Sequence, residues 1–156
     1  MGDPVAAGNG RSLPAGVGSD RVQLGQIAPG YDYDVLDEDE MGDRHGQVEP
    51  HRRMLTLRTD VYERILDHKG RDRFTGCHEV GHAVLHGRTL NRLAPGIRPA
   101  RYCDPEWQAN TFAGAILMPE HMVRAMRSVG EIADEFGVTR DAAEVRCRIL
   151  GVTVHP

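Results

Sequence analysis

One short stretch of the sequence, residues 71–87, carries three histidines spaced four apart and a glutamate beside the first: RDRFTGCHEVGHAVLHG. On an α-helix, residues four apart lie on the same face, with Cβ atoms about 5–6 Å apart. His78 and His82 can therefore direct ring nitrogens at one divalent ion, about 2.0–2.1 Å from each. Glu79 lies about 100° further round the helix, where it cannot ligate that ion but can act as a base on a nearby water molecule. HEVGH therefore predicts a metal site that performs chemistry.

His86 extends the same row of histidines by one more step of four residues. A straight helix rises about 1.5 Å per residue, so His78 and His86 would lie about 12 Å apart. The two side chains cannot then share one ion. We interpret His86 as a residue at the C-terminal end of the helix, where its charge is favourable to the helix dipole.

A catalytic metal of this kind needs a third protein ligand and one open position. Glu106 is the best candidate for this ligand. It lies in the first turn of a predicted helix, which has Asp104 as its N-cap and Pro105 as its first residue. The loop before it is long enough to bring this helix antiparallel to the HEVGH helix. Asn110 lies on the same face as Glu106 and is predicted to accept a hydrogen bond from the non-ligating nitrogen of a metal-bound histidine. Glu106 by itself could be a carboxylate that meets the helix dipole, but beside HEVGH the metal interpretation is preferred.

These two motifs together resemble the ImmA/IrrE family of zinc-dependent metallopeptidases, which are of the gluzincin type. The family has an RFTLAHELGHxLLH-like helix, matched by RDRFTGCHEVGHAVLH, and an ExEANxFAAxLLMP-like helix, matched by EWQANTFAGAILMP. The resemblance implies that His78, His82 and Glu106 hold Zn²⁺. It also implies that Glu79 is the catalytic glutamate and that Asn110 is the asparagine of the EAN segment. Another divalent ion such as Mn²⁺ is an alternative, because metal selection also depends on supply.

The resemblance implies an enzyme, a metalloendopeptidase that hydrolyses a peptide bond in a protein substrate. The expected substrate is a helix-turn-helix repressor in a phage, mobile-element or stress-response switch, so the protein would regulate transcription. The chain departs from the family pattern at Gly76 and Cys77, at Gln108, and in a glycine-rich N-terminus where the family has helices. An alternative is therefore a non-catalytic metal-binding regulator that holds a repressor without cleaving it.

A second alternative is DNA binding through the C-terminal helical pair. Residues 131–150 have the helix, turn and helix pattern of a DNA-binding helix-turn-helix. They carry five acidic residues and three arginines, which is unfavourable for binding the phosphates of DNA. The whole chain has a net charge of −4. We therefore expect no direct nucleic-acid binding.

Composition predicts one modest cytoplasmic domain. The chain has 156 residues, of which 27% are charged, and no apolar run approaches the ~20 residues that span a bilayer. The three cysteines form no CxxC pair, so a zinc ribbon is not expected. The N-terminus lacks the pattern of a signal peptide, which favours reduced thiols in the cytoplasm. Residues 1–30, rich in glycine and proline, are predicted to form a disordered tail, and residues 31–156 a single zinc metallopeptidase-like domain.

The elements that position the site are predicted to form an α+β fold. It has a short N-terminal β-hairpin or sheet, the HExxH helix, the Glu-bearing helix and a C-terminal helical pair. Strand-like alternation at residues 31–35 leads into an acidic stretch interpreted as a solvated edge hairpin, and residues 52–59 predict another strand. Asp60 is predicted to cap a short helix that ends near Gly70, before the HExxH helix that Gly87 ends.

Further caps and core residues follow from local patterns. The Glu-bearing helix is predicted to end near Met118, and the C-terminal pair is bounded by Ser128, Gly137, Thr139 and Gly151. Apolar side chains at helical spacing are interpreted as core rather than substrate pocket. They are Phe74, Val80, Val84, Leu85, Phe112, Ile116 and Leu117.

Overall fold

The computed structural model describes residues 27–86 and 100–155. The elements in these ranges are, in order, strand β1 (Asp32–Leu36), helix α1 (Glu38–Met41), strands β2 (Gly46–Glu49) and β3 (Met54–Arg58), helices α2 (Thr59–Leu66) and α3 (Gly70–His86), a 3₁₀ helix (Arg101–Cys103), and helices α4 (Pro105–Leu117), α5 (Glu120–Val123), α6 (Val129–Phe136) and α7 (Arg140–Leu150). The predicted α+β class is confirmed. Residues 1–26 of the predicted tail, Gly87 and most of the loop before the 3₁₀ helix lie outside the described residues. The last four residues of the predicted tail, 27–30, are described, and Ala28 is buried.

The sheet has three strands in the order β1-β3-β2, with β1 parallel and β2 antiparallel to β3. Alternation turns Tyr33 and Leu55 inward as direct partners, and both are buried. The acidic residues after β1 do not form an edge hairpin. They form α1 instead, and the carboxylate of Glu40 accepts a hydrogen bond from the Asp37 N–H that precedes the helix. The hairpin joins β3 to β2, a strand that was not predicted because Val48 is its only large apolar residue.

Helix α2 begins at Thr59, not at an Asp60 N-cap, so that prediction is wrong. The carboxylate of Asp60 is engaged by the guanidinium of Arg58 at 2.6 and 3.0 Å and by that of Arg64 at 2.8 Å. These contacts, led by the hydrogen bond from Arg58, hold the pKa of Asp60 well below its ordinary value. Arg64 also donates to Asp72 at 3.0 Å, so a row of ion pairs ties the end of β3 to helix α3.

The other predicted boundaries depend on local caps. Helix α2 ends at Leu66 rather than near Gly70, where α3 begins. The N-cap side chains of α4, α6 and α7 each accept a hydrogen bond from a backbone N–H in the first turn of the helix. The glycines that follow α6 and α7 have left-handed backbone conformations. The caps confirmed in this way are Asp104, Ser128, Thr139, Gly137 and Gly151. No helix of the described ranges is both long and apolar enough to cross a bilayer.

Two clusters of buried apolar residues lie on either side of the α3–α4 pair. The first joins the sheet to α2 and α3, and it includes Tyr33, Leu55, Leu57, Tyr62 and Ala83. The second joins the end of α4 to the C-terminal helices, and it includes Met118, Val123, Ile132, Phe136 and Ala143. Helix α3 therefore packs against the first cluster, and the end of α4 against the second.

Of the seven predicted core residues of α3 and α4, two pack on a buried cluster and three are largely exposed, while Phe74 and Phe112 are partly buried. Val80 packs against the first cluster and Leu117 against the second, as expected. Val84, Leu85 and Ile116 are 40%, 48% and 48% exposed, so the core interpretation is wrong for these three. Helical spacing identifies a shared face, but it does not say which neighbour covers that face.

Arg73 connects α3 to the C-terminal helices. Its Nη1 donates to the carbonyl oxygens of Phe136 and Gly137, at 2.7 and 3.0 Å, where α6 ends. Charged donors at a helix C-terminus form strong hydrogen bonds and complement the helix dipole.

We expect Arg73→Met to lower the free energy of unfolding by about 1–3 kcal/mol, because two carbonyls lose a charged donor. Urea unfolding followed by circular dichroism measures this change. The control is Arg71→Met, two residues earlier and exposed, which we expect to change stability by less than about 0.5 kcal/mol. Equal losses from both variants would contradict a bridging role for Arg73.

Candidate metal centre

Helices α3 and α4 pack along each other in opposite directions. His86, at the end of α3, contacts Gln108 near the start of α4, whereas Phe74 lines a cavity together with Gly114 further along α4. A Cβ atom at Gly81 would lie 3.2 Å from the Cα of Ala109, which is itself fully buried. Small residues at this crossing therefore let the two backbones approach closely.

The crossing brings together the three predicted ligands. The Nε2 atoms of His78 and His82 are 3.0 Å apart, and each lies 3.3 Å from an oxygen of the Glu106 carboxylate. Ligands about 2.0–2.1 Å from a tetrahedral ion lie about 3.3 Å from one another. Two imidazole nitrogens and one carboxylate oxygen are therefore placed as ligands of one metal ion would be.

Burial favours the neutral, ligating form of His82. The side chains of His78 and His82 are each 17% exposed, whereas that of Glu106 is 68% exposed. Burial lowers the pKa of His82, and the neighbouring His78 lowers it further. His82 therefore keeps the ring lone pair that a metal ion requires.

Asn110 lies where the sequence predicted it. Its Oδ1 is 3.1 Å from Nδ1 of His78. With Nε2 facing the ion, the ring proton of His78 is on Nδ1, so this nitrogen donates and the amide oxygen accepts. The contact fixes both the tautomer and the rotation of the His78 ring.

His82 is supported by a chain of contacts that the sequence analysis missed. Its Nδ1 lies 3.1 Å from Nδ1 of His86, and Nε2 of His86 lies 2.7 Å from Oε1 of Gln108. The side-chain amide of Gln108 in turn donates to the carbonyl of Tyr102 at 2.7 Å. If His82 carries its proton on Nδ1, each of these three contacts joins one donor to one acceptor. His82 then donates to His86, His86 to Gln108, and Gln108 to the carbonyl of Tyr102.

His86 therefore contacts a predicted ligand, His82, and is not itself part of the predicted ligand set. The sequence predicts a position outside the metal site for His86, and this residue contributes no atom to the cluster of possible ligand atoms. Its contact with His82 follows from the same four-residue spacing that joins His82 to His78. The four-residue spacing was therefore enough to predict the contact between His82 and His86. The contact between His86 and Gln108 depends on how α3 and α4 cross, which the sequence does not show.

Glu79 lies on the side of α3 that faces the sheet. A Cβ atom at Gly46 of β2 would lie 2.6 Å from the Cγ of Glu79, so the side chain packs directly on that strand. Burial raises the pKa of Glu79 to about 7, and the charge of Glu106 acts in the same direction. A carboxyl group of this kind can take up and release a proton near neutral pH.

One protein-family model matches the chain over residues 38–148, which is well over half of its length. The family is Peptidase_M78, described as the IrrE N-terminal-like domain. No curated protein sequence matches the chain. The matched range contains Glu79, Asn110 and the three residues whose ligand atoms converge.

We expect His86→Ala and Asn110→Ala each to weaken metal binding by about 10–100-fold, because a ligating imidazole loses the partner that orients it. Competition with a chromophoric chelator for Zn²⁺ or Co²⁺ measures the affinity. The matched control is His121→Ala, an exposed histidine on α5, which should leave the affinity unchanged. Unchanged affinity in both test variants would show that these contacts do not support the ligands.

A second prediction concerns Glu79 after the metal has been removed with a chelator. Its pKa is raised from the ordinary 4.5 to about 7, so between these values the folded state keeps a proton that the unfolded state has lost. Stability should therefore fall as the pH rises from 4.5 to 7 and stay lower above it. Glu79→Gln cannot ionise, so it should be more stable than wild type by about 1–3 kcal/mol above pH 7 and equal to it below the ordinary pKa. Urea unfolding across this pH range tests it, and a pH-independent difference would contradict it.

Proposed function

This chain belongs to the IrrE N-terminal-like peptidase family, and from that premise we propose that it is a zinc-dependent metalloendopeptidase. One observation carries the proposal. The ligand atoms of His78, His82 and Glu106 converge, and Glu79 stands beside them with a pKa near neutrality. Two histidines, one carboxylate and an adjacent glutamate are the donor set and base of zinc peptidases of the HExxH type.

Zinc is the proposed metal because two imidazoles and one carboxylate suit it, with Mn²⁺ as the alternative. His78, His82 and Glu106 would hold the ion. When bound, it supplies a Lewis acid that polarises the scissile carbonyl and makes a neighbouring water molecule more acidic. Asn110 and His86 keep the two imidazoles turned towards the ion.

Glu79 is the proposed general base and acid. Its carboxylate takes a proton from the attacking water while the water oxygen bonds to the carbonyl carbon of the substrate. The protonated carboxyl then gives that proton to the leaving nitrogen as the C–N bond breaks. Both steps are possible for one group because burial brings its pKa to about 7.

Strand β2 is the proposed guide for the substrate backbone. Within the described residues, β2 pairs only with β3, so its other edge has no strand partner. An extended peptide can add to such an edge through backbone hydrogen bonds. Since Gly46 of β2 lies against Glu79, a peptide paired there would pass close to the base.

The proposed substrate is a helix-turn-helix repressor in a phage, mobile-element or stress-response switch, and the proposed compartment is the cytoplasm. The family resemblance of the HEVGH and EWQAN segments supports this choice. Where a gene for a helix-turn-helix repressor lies next to the gene for this protein, that repressor is the first substrate to test.

We expect the zinc-loaded protein to cleave that repressor, and Glu79→Gln to reduce the cleavage rate by about 10²–10⁴-fold while it still binds one zinc ion. Gel analysis and mass spectrometry of the products measure cleavage. The matched control is Glu135→Gln, an exposed glutamate on α6, which should cleave at the wild-type rate.

Two outcomes would contradict the proposal. Equal cleavage by wild type and Glu79→Gln would remove Glu79 from the mechanism. Tight binding of the repressor without cleavage, under Zn²⁺ or Mn²⁺, would identify a non-catalytic regulator instead.

A further inference from the structure

A cavity of about 530 Å³ opens beside the metal centre, between α3, α4 and α7. We call it the side cavity, and its walls include Phe74, Trp107, Asn110, Val145, Arg146 and Ile149. Asn110 is the residue that holds His78, and Phe74 lies one helical turn before that ligand. The side cavity is therefore adjacent to the metal centre, with Asn110 between them.

One wall of the side cavity is apolar and open to solvent. Val145 and Ile149 are four residues apart on α7, so they lie on one helix face, and they are 45% and 49% exposed. Phe74 of α3 and Trp107 of α4 line the same space. Large apolar side chains exposed together in a concave site are typical of a ligand-binding surface.

The charges around the side cavity are mostly positive. Three arginines and one aspartate line it: Arg71, Arg101, Arg146 and Asp141. None of the four has an ion pair within 4.0 Å among residues 27–86 and 100–155. A locally positive cavity on a chain of net charge −4 is complementary to an acidic ligand.

Arg146 is the most informative of these residues because it is only 7% exposed. Its Nε donates to the carbonyl of Met118 at 3.0 Å, and no described residue accepts a hydrogen bond from its other two nitrogens. Burial lowers the pKa of the guanidinium, opposed by the charge of Glu120, whose carboxylate is already paired with Arg124 at 2.7 Å. The terminal nitrogens of Arg146 are not among the fully buried atoms, so they reach solvent although the residue is largely buried. An arriving carboxylate can bind them in bidentate geometry.

We propose that the side cavity binds a segment of the substrate protein in which a large apolar residue adjoins an aspartate or glutamate. The apolar side chain packs on Val145 and Ile149, and the carboxylate binds Arg146, with Arg71 and Arg101 attracting it at the entrance. Extended residues advance about 3.3 Å each, so a residue within a few positions of the scissile bond reaches a cavity one turn from His78. This inference rests on the proposed function in one respect, that the ligand is a protein substrate.

The test uses the full chain as the Glu79→Gln variant, loaded with zinc, so that bound peptides are not consumed. Trp107 is the only tryptophan of the chain and lines the side cavity, so its fluorescence reports binding directly. Three decapeptides, otherwise glycine and serine, are titrated. One contains leucine followed by glutamate, one replaces that glutamate with glutamine, and one replaces the leucine with alanine.

We expect the leucine–glutamate peptide to bind at least about tenfold more tightly than either control peptide. Arg146→Met should abolish the preference for glutamate over glutamine, because the carboxylate loses its partner. The matched control is Arg148→Met, an exposed arginine on the same helix outside the side cavity, which should keep the preference. Since Arg146 is buried and its loss could unfold the chain, Arg71→Gln and Val145→Asp, both at exposed positions, should each weaken binding by about threefold or more.

Three results would overturn the inference. They are equal binding of the three peptides, equal effects of Arg146→Met and Arg148→Met, or binding of octanoate with no binding of any peptide, which would identify a site for small acids. The proposed function is tested separately. If Arg71→Gln and Val145→Asp leave the rate of repressor cleavage unchanged, only this inference is contradicted. If the peptides bind but the repressor is not cleaved, only the proposed hydrolase activity is contradicted.

Discussion

The close approach of α3 to α4 at Gly81 and Ala109 is the constraint on which the site depends. The two histidines come from one helix and the carboxylate of Glu106 from the other, so the distance between their ligand atoms is set by this crossing. Those distances are 3.0–3.3 Å, which leaves little tolerance for a wider separation. A Cβ atom at position 81 would lie 3.1 Å from the ring of Phe112 and 3.2 Å from the Cα of Ala109, which is tighter than ordinary contact, so one of these neighbours would have to shift.

Helix α4 does more than supply one ligand. Glu106, Gln108 and Asn110 lie at alternate positions in its first two turns, and each contacts a histidine of α3. The carboxylate faces the cluster, while the two amides hold the rings of His78 and His86 from behind. The placement of one short segment therefore sets both the ligand and the orientation of the imidazoles, as a preorganised metal site requires.

The parts of this arrangement that follow from local rules were predictable from the sequence. Ligand spacing on one helix and the caps at Asp104, Ser128 and Thr139 depend on residues at most four apart. What the sequence did not show depends on contacts between distant segments. Asp60 looked like a cap, but Arg58 and Arg64 hold its carboxylate, and the apolar residues of α3 do not reveal which neighbour covers them. The role of His86 likewise became visible only when Gln108 was placed beside it.

The sheet contributes to the site in a different way from the helices. Its contact with the proposed catalytic residues is through Gly46, against which Glu79 is packed, and burial is the main cause of the raised pKa of Glu79. The helix crossing therefore governs how the metal ligands are held, whereas the position of the sheet on α3 governs the strength of the base. The ion pairs from Arg58 through Asp60 and Arg64 to Asp72 fasten the sheet to α3. Because these ion pairs lie outside the cluster of ligand atoms, they can hold the sheet on α3 without engaging a predicted metal ligand.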